Sequence, residues 1–146
     1  MWGDPVILKR FAGGLLLAFA LICGTAVAAK DARPGLFMRN GEAFIFRIEN
    51  GQPVDVRAVG KDDMPAEGEL KAELVDQLGS TLTVTNQTAE QINYEAWIAK
   101  DEFEKGSRTT VCTLIAGGAG YENWPKSLAG LRLTNFEPAG DSFGCK

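Results

Sequence analysis

Residues 116–127, AGGAGYENWPKS, come nearer than other parts of the chain to a phosphate-binding pattern. Gly120, four further residues and then Pro125-Lys126-Ser127 are one substitution away from the G-x-x-x-x-G-K-[ST] nucleotide loop. Such a loop needs backbone N–H groups around the anion and a helix N-terminus behind it. Pro125 lacks an N–H group, and residues 128–136 alternate like a strand instead of a helix. We therefore predict that this segment connects two strands and does not bind nucleotide.

The same segment carries two aromatic residues, Tyr121 and Trp124. Connections between strands often carry binding residues, and tyrosine and tryptophan bring large contact areas to protein interfaces. One interpretation is therefore a recognition surface formed by these two rings. The alternative is packing, in which Trp124 folds over the edge of the core and covers a disulfide while Tyr121 caps a sheet.

Catalytic chemistry has little support in the sequence. The chain has no histidine, so common pairs of nucleophile and base are absent. Acidic residues that could act as acid and base lie in strongly charged stretches with no apolar pocket in evidence: Asp62, Asp63, Glu102 and Glu104. Lys126 and Ser127 are adjacent, which on a strand directs their side chains to opposite faces. We predict that the protein is not an enzyme.

Cysteine usage favours an oxidising compartment. Of three cysteines, Cys23 lies in an apolar N-terminal segment, which leaves Cys112 and Cys145 as a pair. A disulfide between them would tie the C-terminal tail, residues 141–146, to the strand that carries Cys112, and would contribute about 3 to 4 kcal/mol on the chain-entropy model. Two free thiols are the alternative if the chain stays in a reducing compartment. The spacing fits neither a zinc site nor a redox C-x-x-C pair.

Charge and composition argue against metals, cofactors and nucleic acid. From residue 29 onward the chain has 13 Lys plus Arg and 18 Asp plus Glu, a net charge of −5. No basic stripe is available to neutralise phosphates. Asp62-Asp63 and Asp101-Glu102 lack the spaced oxygen ligands of a calcium loop. We predict no metal, no cofactor and no nucleic-acid partner.

The N-terminal segment has the organisation of an export signal. Lys9-Arg10 precede an uncharged apolar run, residues 11–23, and Ala26-Val27-Ala28 fits a peptidase site. We predict a signal peptide at residues 1–28, an exported domain at residues 29–146 and no membrane span in the mature form. One alternative is retention of residues 11–29 as a membrane anchor, since this run has 19 uncharged residues. Lipid modification of Cys23 is a weaker alternative, because Ile22 departs from the small residue expected there.

Period-two alternation dominates the rest of the chain and predicts strands. The strands are expected around residues 44–49, 54–59, 81–85, 92–98, 109–116 and 128–136. Asn50-Gly51 lies between the first two and favours a hairpin, because these residues tolerate the positive φ of a type I′ turn. Residues 70–78 allow a short helix through Leu70, Leu74 and Leu78, or a strand through Leu70, Ala72 and Leu74.

These elements predict a mainly β fold, a small antiparallel β-sandwich of six or seven strands, with or without one short helix. Residues 82–88 resemble strands of immunoglobulin-like sandwiches in a loose sense, but the cysteine spacing departs from the inter-sheet disulfide of antibody domains. The same segment contains Asn86-Gln87-Thr88, an acceptor sequence for N-glycosylation.

The function that fits these features is a small exported, non-enzymatic binding module, such as an inhibitor or accessory protein. It would recognise another protein or an envelope ligand through its loops, and it would be periplasmic or secreted, or else anchored at its N-terminus. The alternative is a structural component of an envelope complex that joins by sheet-edge pairing, with residues 80–85 as the edge.

Overall fold

The computed structural model describes residues 30–146, which form two antiparallel β-sheets packed face to face. The predicted signal peptide and Cys23 lie outside the described residues. Within them there are nine strands: β1 (Leu36–Met38), β2 (Glu42–Glu49), β3 (Gln52–Ala58), β4 (Leu70–Asp76), β5 (Ser80–Asn86), β6 (Ile92–Ile98), β7 (Ser107–Thr109), β8 (Ala119–Trp124) and β9 (Leu131–Pro138). The predicted β-sandwich is confirmed. Residues 30–146 include no helix that is long and apolar enough to cross a membrane.

The order of the strands decides which of them are exposed at an edge. The four-stranded sheet has the order β1-β9-β6-β7, and the five-stranded sheet has the order β3-β2-β4-β5-β8. Two of the edge strands, β1 and β7, have only three residues each, whereas β3 has seven and β8 has six. Short edge strands offer little backbone to a further strand. The five-stranded sheet therefore carries both long edges of the described residues.

The core lies between the two inner faces. Phe136 of β9 contacts Phe46 of β2 and Tyr94 of β6, with ring centroids 5.5 and 5.7 Å apart. Buried aliphatic side chains from both sheets and from the β7–β8 connection surround these rings: Leu36, Met38, Leu70, Leu74, Leu82, Val84, Ile92, Val111, Leu114, Leu131 and Leu133. Burial of these apolar side chains is the main favourable contribution to folding.

The predicted Asn-Gly hairpin is confirmed. Glu49 pairs with Gln52, so β2 and β3 are joined by a two-residue turn. Asn50 and Gly51 have φ values of 50° and 77°, the positive range that a type I′ turn requires. The amino-acid types at these two positions therefore determine the turn locally.

The helical alternative for residues 70–78 is wrong, and the strand alternative is confirmed. Strand β4 pairs with β2 on one side and with β5 on the other. Leu70, Ala72 and Leu74 are fully buried because they all point to the inner face. Leu78, which the helix would have buried, is fully exposed in the turn after β4 and has a φ of 59°.

Two further boundaries differ from the prediction. Residues 109–116 were predicted as one strand, but only β7 and isolated bridges at Cys112 and Leu114 form there. Residues 116–127 were predicted as a connection, but they contain β8. The count of nine strands exceeds the predicted six or seven because β1, β7 and β8 are too short or too rich in glycine for clear alternation.

Candidate functional site

Tyr121 and Trp124 both lie on β8, so the prediction that they belong to a loop is wrong. Residues 119–124 pair in antiparallel register with residues 80–85 of β5, from Ser80 opposite Trp124 to Thr85 opposite Ala119. Gly118, Gly120 and Asn123 are poor strand formers by intrinsic preference. Pairing with an alternating, well-buried neighbour overrides that preference. The helix that a phosphate loop needs is accordingly absent at this position.

The two aromatic side chains lie on opposite faces of β8, as a separation of three residues on a strand requires. Tyr121 points outward, and 70% of its surface is exposed. Trp124 points inward, packs against the core, and donates a hydrogen bond from Nε1 to Thr109 Oγ1 at 2.9 Å. The geometry thus separates the pair: packing accounts for Trp124, and exposure leaves Tyr121 available for contact.

The backbone of β8 is paired on one side only. Asn86 N donates to Gly118 O at 2.7 Å, whereas Gln87 N donates to Glu69 O at 2.9 Å. Backbone groups of a strand point to alternate sides, so even-numbered residues of β5 face β8 and odd-numbered residues face β4. On β8 the same alternation directs the N–H and C=O groups of Ala119, Tyr121 and Asn123 outward. Within residues 30–146 these groups have no backbone partner.

The predicted edge at residues 80–85 is wrong, because β5 lies between β4 and β8. β8 occupies the outer position instead. On its outer face, β5 contributes only threonines and β8 contributes Tyr121 and Asn123, with Thr81 Oγ1 donating to Asn123 Oδ1 at 3.0 Å. This strip of two strands carries no charged side chain. We call it the β8 edge: the outward backbone groups of Ala119, Tyr121 and Asn123 with the neutral outer face beside them.

The disulfide between Cys112 and Cys145 is confirmed, with an S–S distance of 1.98 Å. It ties the C-terminal tail to Cys112 as predicted, but Cys112 lies in an isolated bridge and not on the predicted strand. Val111 and Lys146 exchange two backbone hydrogen bonds of 3.1 and 2.9 Å. Glu122 Oε1 accepts a hydrogen bond from Cys112 N at 2.7 Å. The inner face of β8 is therefore anchored to the disulfide segment by Glu122, while its outer face remains exposed.

Two of the four acidic residues considered as catalysts, Asp63 and Glu104, serve local structure. Asp63 Oδ2 accepts a hydrogen bond from Gly60 N at 2.6 Å, and Glu104 Oε2 accepts one from Lys100 N at 2.7 Å. Each carboxylate thus closes a turn. The described residues contain no group of three or more His, Cys, Asp or Glu side chains arranged to hold a metal ion.

Three pKa shifts have clear physical causes. The side-chain hydrogen bond from Arg57, assisted by the N–H group of Ala66, lowers the pKa of Glu69 to about 2. Burial raises the pKa of the Tyr94 phenol above its usual range, and the negative charge of Glu122 adds to this shift. Burial opposes ionisation of Asp101, but hydrogen bonds from two backbone N–H groups outweigh it and lower the pKa. None of the three groups lies on the outer face of β8.

Asn86 of the glycosylation acceptor sequence is completely buried, and its amide donates to two backbone carbonyls. It is therefore inaccessible in the folded domain.

Sequence reasoning missed β8, because its small residues hide the alternation of apolar and polar side chains that is typical of a strand.

Comparison with protein-family models, with curated proteins and with solved structures finds no match to this chain.

Proposed function

We propose that the protein is an exported, non-enzymatic binding module that recognises an extended segment of a partner protein at the β8 edge. The observation that carries this proposal is the row of outward N–H and C=O groups at Ala119, Tyr121 and Asn123. A partner segment can add to such an edge as a further strand. Main-chain hydrogen bonds would supply affinity, and the exposed ring of Tyr121 would supply a side-chain anchor.

A partner distinct from this chain fits the charge of the molecule. The sequence from residue 29 onward has a net charge of −5, which repels identical copies. The outer face of β8 has no charged side chain, so it does not repel a charged partner strand. Export is supported by the signal-like residues 1–28 and by the disulfide, which persists in oxidising compartments.

The first test needs no partner and compares the melting of two variants. Tyr121→Ala should melt like the native protein, because its side chain is largely exposed. Trp124→Ala should lose about 3 kcal/mol of stability, since it removes core packing and the bond to Thr109. A collapse of the Tyr121→Ala variant would show that this ring supports the fold and would remove the anchor from the proposal.

The second test is capture of partner proteins from a cell-envelope extract on the immobilised protein. Tyr121→Ala should weaken capture by about 2 kcal/mol, roughly thirtyfold in affinity. Asn123→Pro should also weaken it, because proline removes an outward N–H without removing a backbone hydrogen bond to β5, and only the side-chain bond from Thr81 is lost with it. Val56→Ala, on the opposite edge strand, is the matched control and should bind normally. Equal capture by all variants would contradict the β8 proposal.

Size-exclusion chromatography of the purified protein, with and without the cell-envelope extract, distinguishes recognition of a partner from assembly into a larger structure. A discrete complex with one partner supports recognition at the β8 edge. Ordered self-association that Asn123→Pro abolishes would instead favour the structural alternative, with β8 as the pairing edge in place of residues 80–85.

A further inference from the structure

A cleft of about 390 Å³ opens between the two sheets at the end of the sandwich that carries the Asn50-Gly51 turn. Its apolar lining comes from both sheets: Ile48, Ile92, Phe136 and Pro138. Glu90 and Glu137 also line it, and both are solvent-exposed. The cleft thus combines apolar walls with two carboxylates.

The segment that carries Glu90 is hydrogen-bonded to the side chain of the buried Asn86. Asn86 Nδ2 donates to Glu90 O at 2.9 Å, and Asn86 Oδ1 accepts from Thr88 N at 3.0 Å. Thr88 Oγ1 in turn accepts a hydrogen bond from Glu90 N at 3.3 Å. A site built on such a fixed backbone loses little conformational freedom when a ligand binds.

The position of Glu137 is fixed by the pairing of β9 with β6 in the four-stranded sheet. It pairs with Asn93 of β6, next to an irregularity in the β6–β9 pairing where Asn135 has a φ of 51°. Beyond it, Ala139 N donates to Gln91 O at 2.8 Å. Both acidic residues therefore stand on backbone segments that are hydrogen-bonded to their neighbours.

The two carboxylates of the cleft form no ion pair with the part of the chain that the structure describes. Among residues 30–146, neither the Glu90 nor the Glu137 carboxylate takes part in a salt bridge or a hydrogen bond, and no Lys or Arg lines the cleft. A larger depression of about 540 Å³ shares Gly51, Phe136 and Glu137 with the cleft, and Arg108 and Lys146 line it as well. There Glu95 lies 3.7 Å from Arg108 and accepts hydrogen bonds from Trp97 and Asn135. Glu95 is therefore paired within the depression, whereas Glu90 and Glu137 form no ion pair and can accept a cation from a ligand.

We propose that this cleft binds a lysine or arginine side chain of a partner protein. The aliphatic stem would lie on Ile48 and Phe136, and the charged head group would be held by Glu90 and Glu137. Long cationic side chains bury their methylene groups on apolar surface and keep the charge in a polar rim, which matches this lining. An apolar chain without a charge would leave both carboxylates unmatched, and an anion would be repelled. The proposal does not depend on the β8 edge.

The test is a titration of the isotope-labelled protein with Nα-acetyl-lysine amide, followed by the methyl resonances of Ile48 and Ile92. We expect saturable shifts at these methyl groups. Nα-acetyl-norleucine amide has the same kind of stem without the ammonium group and should produce at least about tenfold weaker binding, which corresponds to about 1.4 kcal/mol. The double variant Glu90→Gln/Glu137→Gln should weaken lysine-amide binding to a similar extent.

The controls separate this site from general electrostatics and from the β8 edge. Asp62→Asn/Glu67→Gln removes two exposed charges that do not line the cleft, and it should leave binding unchanged. Tyr121→Ala should also bind normally, so failure of the two proposals can be told apart. Melting confirms that each variant is folded. The proposal is overturned if the shifts do not saturate, if norleucine amide binds equally well, or if the folded Glu90→Gln/Glu137→Gln variant keeps native affinity.

Discussion

Replacing Asn86 by alanine tests how the end of the sandwich is held together. The side chain is fully buried, and its amide makes four hydrogen bonds. Nδ2 donates to Glu90 O at 2.9 Å and to Ile115 O at 3.2 Å. Oδ1 accepts from Thr88 N at 3.0 Å and from Thr88 Oγ1 at 2.7 Å. One residue thus joins β5, the β5–β6 connection and the connection that precedes β8.

The expected loss follows from the groups that Asn86→Ala leaves without a partner. A buried polar group that loses its hydrogen bond costs about 1 to 3 kcal/mol, and water that enters the space would recover part of this. With two carbonyls and the N–H of Thr88 affected, we expect a loss of about 3 kcal/mol. That is a large share of the roughly 5 to 15 kcal/mol typical of a whole domain.

The pH dependence of the stability of Asn86→Asp provides a second test of the same site. The introduced carboxylate would face the carbonyls of Glu90 and Ile115, so its folded-state pKa should lie above the unfolded value of about 3.9. Below the unfolded-state pKa the introduced side chain is protonated in both the folded and the unfolded state, so its ionisation does not reduce stability. The variant should therefore lose stability as pH rises through its folded-state pKa.

Urea denaturation measures both variants against the native protein. Asn123→Ala is the matched control, because Asn123 is exposed and its side chain accepts only the hydrogen bond from Thr81. It should change the free energy of unfolding by less than about 0.5 kcal/mol. If Asn86→Ala were equally mild, the buried amide would not stabilise this end of the sandwich, and the reasoning would be refuted.

Three further predictions concern charge, covalent structure and processing. Because hydrogen bonding to Arg57 lowers the pKa of Glu69 from 4.5 to about 2, its contribution is present above pH 4.5 and is lost as pH falls toward 2. The stability difference between the native protein and Glu69→Gln, followed by acid titration of unfolding, should vanish over that range; a constant difference would contradict the assignment. Thiol labelling of the denatured, processed protein should find no free Cys112 or Cys145, and replacing both by serine should lower stability by about 3 kcal/mol. Intact mass of the purified native protein should show cleavage after residue 28, whereas a species that begins at Met1 would disprove processing.

Several features follow from residues that are close together in the sequence. Ile92, Tyr94 and Ala96 alternate with polar neighbours and form β6, because successive side chains on a strand face opposite sides. Asn50-Gly51 determines its turn through backbone preference alone. The pairing of Cys112 with Cys145 follows from their number once Cys23 is assigned to the signal.

β4 shows where local pattern becomes ambiguous. Leu70 and Leu74 satisfy both a helical and a strand period, so their spacing does not choose between the two. The choice depends on β2 and β5, which supply hydrogen-bonding partners on both sides. Neither neighbour can be recognised from residues 70–78 themselves.

The amino-acid sequence by itself therefore determined the β class, the Asn-Gly hairpin and the cysteine pair, since each depends on local periodicity, backbone preference or composition. Tertiary structure decided that β5 is internal, that β8 is an edge strand, and that Tyr121 is exposed while Trp124 is packed. It also decided that Glu90 and Glu137 line one cleft, although they lie far apart in the chain. The physical reason is that a strand's neighbours, and the side chains that meet at the end of a sandwich, are set by pairing between distant segments.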